Sequence, residues 1–153
     1  MTQIEGLNED FRDLLACLAA EGVEFVIVGA YAVAFHGVPR TTGDIDVFVR
    51  PTQENAVRVW RALVAFGAPI RSSGVNDGDF AAPGIVYQIG LPPRRIDILT
   101  EISGLGFEDA WASRVPADVA GATVHFIGRD ALVRNKRAAG RAKDLADLER
   151  LGE

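Results

Sequence analysis

Val28-Gly29-Ala30, followed by Arg40-Thr41-Thr42-Gly43-Asp44-Ile45-Asp46-Val47, is the stretch on which the reading of this chain turns. A glycine ends one apolar run, and two carboxylates one residue apart then stand inside the next. Side chains of a strand alternate faces, so Asp44 and Asp46 point the same way, about 6–7 Å apart at Cα. Two like charges that close resist burial unless a cation lies between them. An extended chain from Arg40 onward puts Arg40 and Thr42 in the same register. One face then carries a guanidinium, a hydroxyl and two carboxylates, a row suited to a divalent metal and a phosphate.

The rest of the chain sets bounds on that reading. Its 153 residues suit one domain, 1–153, with a core of its own, and 48% apolar and 24% charged residues are ordinary for a soluble protein. The net charge of −5 argues against a general polyanion binder. That charge is unevenly spread: Arg129 to Arg150 holds seven basic and four acidic residues, net +3, and the rest holds nine basic and seventeen acidic, net −8. Both lysines of the chain, Lys136 and Lys143, fall in this basic tail, which points to a local anion site. The lone Cys17, set among Leu14, Leu15 and Leu18, is expected to be a buried free thiol. One cysteine and two distant histidines, His36 and His125, make no zinc site. His125 reads as a packed or surface residue; His36, at a helix end, is open to either reading. The apolar run Phe25 to Phe35 is too short for a membrane span of about 20 residues. Met1 to Asp10 is polar and acidic rather than basic then apolar, so the expected location is cytoplasmic, with no membrane partner.

Periodicity divides the chain into alternating elements. A helix runs from an Asn8 cap to Glu21, with Phe11, Leu14, Leu15 and Leu18 on its apolar stripe. Phe25 to Val28 reads as a buried strand, Ala30 to Phe35 as a small-residue helix, and Asp44 to Val49 as a second strand. Pro51-Thr52 opens an amphipathic helix that Gly67 closes. Residues 71–84, rich in Ser, Gly, Asn, Asp and Pro, read as a mobile loop. Ile85 to Ile89 and Ile96 to Leu99 form a hairpin. A helical turn from Phe107 to Trp111, a strand from Thr123 to Ile127, and helices over Asp130 to Ala139 and Lys143 to Leu151 complete the chain. The fold class is α+β: a mixed β-sheet flanked by helices.

Asp97, in Arg95-Ile96-Asp97-Ile98-Leu99, is the third carboxylate of interest. Were this strand the neighbour of the Asp44/Asp46 strand, all three acids would reach one ion. Three carboxylates with open positions suit Mg2+, a hard cation that keeps waters and shares its sphere with phosphates. A helix starting at Gly29-Ala30 presents free backbone N–H groups and its positive dipole end, a seat for a phosphate that a side chain on Gly29 would block. The bland readings are a hydrated acidic strand face for Asp44 and Asp46, and an edge-strand charge paired with Arg94 or Arg95 for Asp97. For the closing helices the bland reading is a solvated charged face.

The glycine, the spacer and the Asp-x-Asp flanked by apolar residues, with Asp97 on a later strand, resemble the nucleotidyltransferase superfamily signature. The closing run Asn135-Lys136-Arg137 … Arg141-Ala142-Lys143-Asp144-Leu145 resembles the minimal bacterial branch related to the AbiEii-type toxins of type IV toxin–antitoxin systems. The resemblance implies a nucleotidyltransferase-like fold. It also implies an enzyme that moves a nucleoside monophosphate from a nucleoside triphosphate, ATP among the candidates, to an acceptor that is RNA, protein or a small molecule. In that reading Asp44, Asp46 and Asp97 are the catalytic acids and hold two Mg2+ ions. Gly29 and Ala30 cradle phosphates, while Lys136, Arg40, Arg141 and Lys143 offset phosphate charge and Thr42 stands in the same row. Asp144 orients one of these basic groups or touches the nucleoside. The family pair is Gly-Gly or Gly-Ser, so Ala30 removes a hydroxyl contact but keeps the backbone donor. The acceptor surface would come from a homodimer, a partner protein or the 71–84 loop. The alternative is a catalytically silent module of the same fold that binds nucleotide or protein, as an antitoxin or regulator.

Overall fold

A computed structural model of the protein describes residues 1–37 and 43–153. The expectations for Arg40 and Thr42 lie outside these described residues. The described strands are β1 (Thr2–Gln3), β2 (Phe25–Val28), β3 (Ile45–Val49), β4 (Val86–Ile89), β5 (Ile96–Leu99), β6 (Val115–Val119) and β7 (Ala122–Phe126). The helices are α1 (Glu9–Ala20), α2 (Gly29–His36), α3 (Gln53–Phe66), α4 (Phe107–Ala112), α5 (Arg129–Ala139) and α6 (Ala142–Arg150). The strands form one mixed sheet in the order β1-β6-β7-β2-β3-β5-β4.

Local chemistry accounts for most boundaries. Asn8 caps α1 by accepting from Phe11 N at 2.9 Å, and Phe11, Leu14, Leu15 and Leu18 are buried beneath it. Thr52 caps α3, and Gly67, at φ 92°, ends it in the left-handed conformation that glycine adopts without strain. Buried Asn55 ties α3 to the sheet, accepting from Glu24 N and donating to the Glu24 and Arg50 carbonyls. On β3 the residues facing away from Asp46, namely Ile45, Val47 and Val49, are fully buried. The other face carries Asp46 at its open end and Phe48 further along, where Phe48 meets the Phe107 ring at 5.1 Å. Alternation thus places one acid at the surface end of a strand whose remainder is core.

Four features differ from the sequence reading. Residues 71–84 are not a plain loop. Turns of 3-10 helix at Ile70–Ser72 and Asp77–Ala81 bracket a reciprocal Asn76/Asp79 cap, and Ile70 and Phe80 are wholly buried. The second turn packs on α3. Strand β6 was not expected: Val115, Ala117 and Val119 alternate, but Pro116 and Asp118 between them are poor strand formers; pairing with β7 on one side and β1 on the other supplies what propensity lacks. Cys17 is half-buried rather than buried, and burial together with Asp13 and Glu21 pushes its thiol up, away from the reactive thiolate. Asp97 is not on an edge: β5 lies between β3 and β4.

Candidate active site

Strand register brings the site together. β3 and β5 are parallel neighbours, with Asp46 directly beside Asp97. Side chains in register on adjacent strands share a face, so two carboxylates that are 51 residues apart in sequence stand side by side. Asp97 is buried, 8% exposed, and Asp46 beside it is half-buried. Burial, the charge of Asp97 and a hydrogen bond shared with it push the Asp46 carboxyl up to about 6; Lys136 and Lys143 pull it partly back.

Gly29 begins α2 against that pair. Its φ of 68° favours glycine, and a Cβ there would collide with the Asp46 carboxylate. Because Val28 offers no side-chain cap, the first amides of α2 remain available for a ligand. Val28, Gly29 and Ala30 line an open cleft of about 740 Å³. Asp44, Asp46 and Asp97 line it from the sheet, and Lys136, Arg141 and Lys143 line it from α5, α6 and the turn between them.

Asp44 lies one residue before β3 rather than within it. Its Oδ1 accepts from the backbone N–H of Arg95 at 2.9 Å, and its Oδ2 faces the Arg95 guanidinium at 3.4 Å. The same guanidinium grips Asp97, with Nε to Oδ1 at 2.8 Å and Nη2 to Oδ2 at 3.2 Å. Sequence reasoning met Arg95 only as a possible surface partner of Asp97 and gave it no role in the site, yet it lines the cleft as the acids do. The period-two argument that paired Asp44 with Asp46 pairs Arg95 with Asp97 equally well. Glu101, Ser103 and Arg150 also line the cleft without having been singled out.

The basic tail folds into a closed charge cluster. Lys136 Nζ is buried between Asp144 Oδ1 at 3.2 Å and Asp147 Oδ2 at 3.1 Å. Asp144 is fully buried and accepts from Arg141 Nε at 2.7 Å and from the Arg141 backbone at 3.1 Å. Burial pushes its carboxyl up, but the hydrogen bonds from Arg141 and Lys136 outweigh that and hold it down at about 2. Asp144 therefore holds basic groups in place instead of facing the cleft, whereas Lys143 is exposed on the cleft wall.

Neither histidine is part of the cleft. His36 Nε2 bonds the Ile127 carbonyl at 2.6 Å, and His125 packs edge-on to Trp111 at 5.4 Å. Among the described residues, no three acids, histidines or cysteines converge as a ready-made cation cage. The donor set nevertheless fits a hard cation. It is all carboxylate oxygen, and half-buried Asp46 and buried Asp97 form a like-charge pair whose repulsion such an ion would relieve.

The mixed sheet with helices on it is a nucleotidyltransferase-like fold. Among solved structures, one described as a "putative nucleotidyltransferase (TM1012)" from Thermotoga maritima superposes with a TM-score of 0.59 over 91% of this chain and 88% of that one, at 18% identity. No protein-family model matches the chain, and no curated protein matches it either. No helix among the described residues is long and apolar enough to cross a membrane.

Proposed function

We propose that the protein is a Mg2+-dependent nucleotidyltransferase that moves a nucleoside monophosphate from a nucleoside triphosphate to an RNA, protein or small-molecule acceptor. The observation that carries this reading is the Asp46–Asp97 pair at the mouth of a cleft whose opposite walls are helix N-terminal amides and basic side chains. A binding module gains nothing from two adjacent acids that repel each other, whereas a cation-dependent phosphoryl site needs that charge.

Asp46 and Asp97, with Asp44 beside them, would hold the Mg2+ ions, which supply charge neutralisation of the phosphate oxygens as the new bond forms. The remaining roles belong to the chain itself. Amides at Gly29 and Ala30 would donate to the distal phosphates, while the absence of a Cβ on Gly29 leaves room for the Asp46 carboxylate beside them. Lys143 and Arg141 would offset phosphate charge from the cleft wall, with buried Lys136 contributing at longer range. Asp97 would accept the proton of the attacking hydroxyl. The toxin–antitoxin setting implied by the resemblance of the closing helices, and a cytoplasmic location, belong to the same proposal.

Incubation with each labelled triphosphate, Mg2+ and total RNA and protein extract tests it. Label entering one fraction with the native protein and not with Asp46→Asn is the expected result. A folded Asp46→Asn protein that transfers label undiminished would overturn the catalytic assignment. The second reading, a silent nucleotide- or protein-binding module, is favoured by one observation: Arg95 already neutralises Asp97. No transfer by the native protein, together with Mg2+-dependent thermal stabilisation by a triphosphate, would select it.

A further inference from the structure

The proposed function leaves the Arg95 guanidinium unexplained. It spans both oxygens of Asp97 and reaches Asp44 Oδ2, three of the oxygens a divalent cation would use. We propose that Arg95 is an internal counter-ion that competes with the divalent cation for these carboxylates, so that cation binding requires its side chain to swing aside. The inference rests on the cation site proposed above.

Three features fit a displaceable group better than a permanent one. First, Asp44 is anchored independently: its Oδ1 is held by the Arg95 backbone N–H, while only Oδ2 faces the guanidinium. Release of the side chain therefore frees Oδ2 without disturbing the backbone contact between the start of β3 and the start of β5. Second, the Arg95 side chain is 28% exposed against 11% for that of Asp97, so the guanidinium is the partner with more room to move toward solvent. Third, the compensation is lopsided. Arg95 grips Asp97 in a forked contact, but Asp46, in register beside it, has no ion pair with a basic side chain among the described residues. A permanent structural ion pair would be expected to settle the whole corner, as Lys136, Arg141, Asp144 and Asp147 do on α5 and α6. A group that stands in for an absent ion needs only to keep the site from collapsing or flying apart.

The test is Mn2+ binding, followed by calorimetry and by the signal of the free ion, with no nucleotide or acceptor present. Arg95→Gln removes the charge and should bind Mn2+ at least about tenfold more tightly than the native protein. Arg95→Lys keeps the charge but cannot span three oxygens, and should fall between the two. In chelator, Arg95→Gln should melt below the native protein, and saturating Mn2+ should raise its melting temperature by more than it raises that of the native protein. Equal affinity in all three proteins overturns the competition and leaves the cation site standing. Weaker binding by the variants also overturns it, making Arg95 a positioning residue for the carboxylates. Binding by none of them overturns both this inference and the cation site. Should Arg95→Gln fail to fold, Arg95→Lys alone decides: tighter binding than native supports the competition, and equal or weaker binding ends it.

Discussion

Two charged corners face each other across the cleft, and they are built on opposite plans. At α5 and α6, Lys136 sits between Asp144 and Asp147 while Arg141 and Arg150 close the cluster from outside, so every charge meets its opposite within the protein. The result is an Asp144 held at about 2. At β3 and β5, two acids stand side by side, the Arg95 guanidinium bridges Asp97 and Asp44, and Asp46 rises to about 6. Burial is common to both, so it does not explain the difference. What differs, among the described residues, is the number of basic side chains bonded to the acids. That imbalance is what the proposed cation site would require.

The sharpest way to break this contrast is at the settled corner. Asp144→Ala strips Lys136 of one partner and leaves a buried ammonium half-compensated, which should cost about 3–5 kcal/mol by denaturant unfolding. A loss below about 1 kcal/mol would show that the cluster is not closed. At the unsettled corner the same kind of change should act on chemistry instead. Asp46→Asn should lower nucleotide transfer by about two to three orders of magnitude, while its melting temperature stays level or rises because repulsion with Asp97 is relieved. A large drop in melting temperature would mean that the pair is structural.

Gly29→Ala probes the seam between the two. It forces a left-handed alanine and drives a methyl group into Asp46, so a loss of about 3 kcal/mol is expected, with weaker triphosphate binding in a thermal-shift titration. The smallest effect is on pH. The folded pKa of Asp46 lies above its unfolded value of 3.8, so the folded state holds the proton more tightly. Its contribution is therefore fully present below about pH 4 and is lost as pH rises through about 6. Asp144, shifted the other way, loses its contribution only as pH falls through about 2. Subtracting the unfolding profile of Asp46→Asn from that of the native protein should isolate the first trend; a flat difference would refute it.

Much of this was legible in one dimension because it follows from local rules. The Asn8 and Thr52 caps, the Gly67 stop and the alternation through Ile45, Asp46 and Val47 each depend on a few neighbouring residues. Asp44 and Asp46 line the same cleft, although Asp44 lies one residue before the strand that alternation gave it. Strand β6 escaped because Pro116 and Asp118 hide an alternation that only its pairing with β7 stabilises. The 3-10 turns in residues 71–84 escaped because Ile70 and Phe80 order a polar stretch from within the core.

By itself the sequence determined which side chains could share a face and where most helices begin and end, since backbone geometry sets both over a few residues. Only the tertiary structure decided that Asp46 stands beside Asp97, that Arg95 lies across Asp97 and Asp44, and that Asp144 is sealed against Lys136. Those are matters of register and packing between segments distant in the chain. A one-residue slip of β5 against β3 would keep every local preference and still separate the two acids. The burial of the whole sheet, not the composition of either strand, selects the register that joins them.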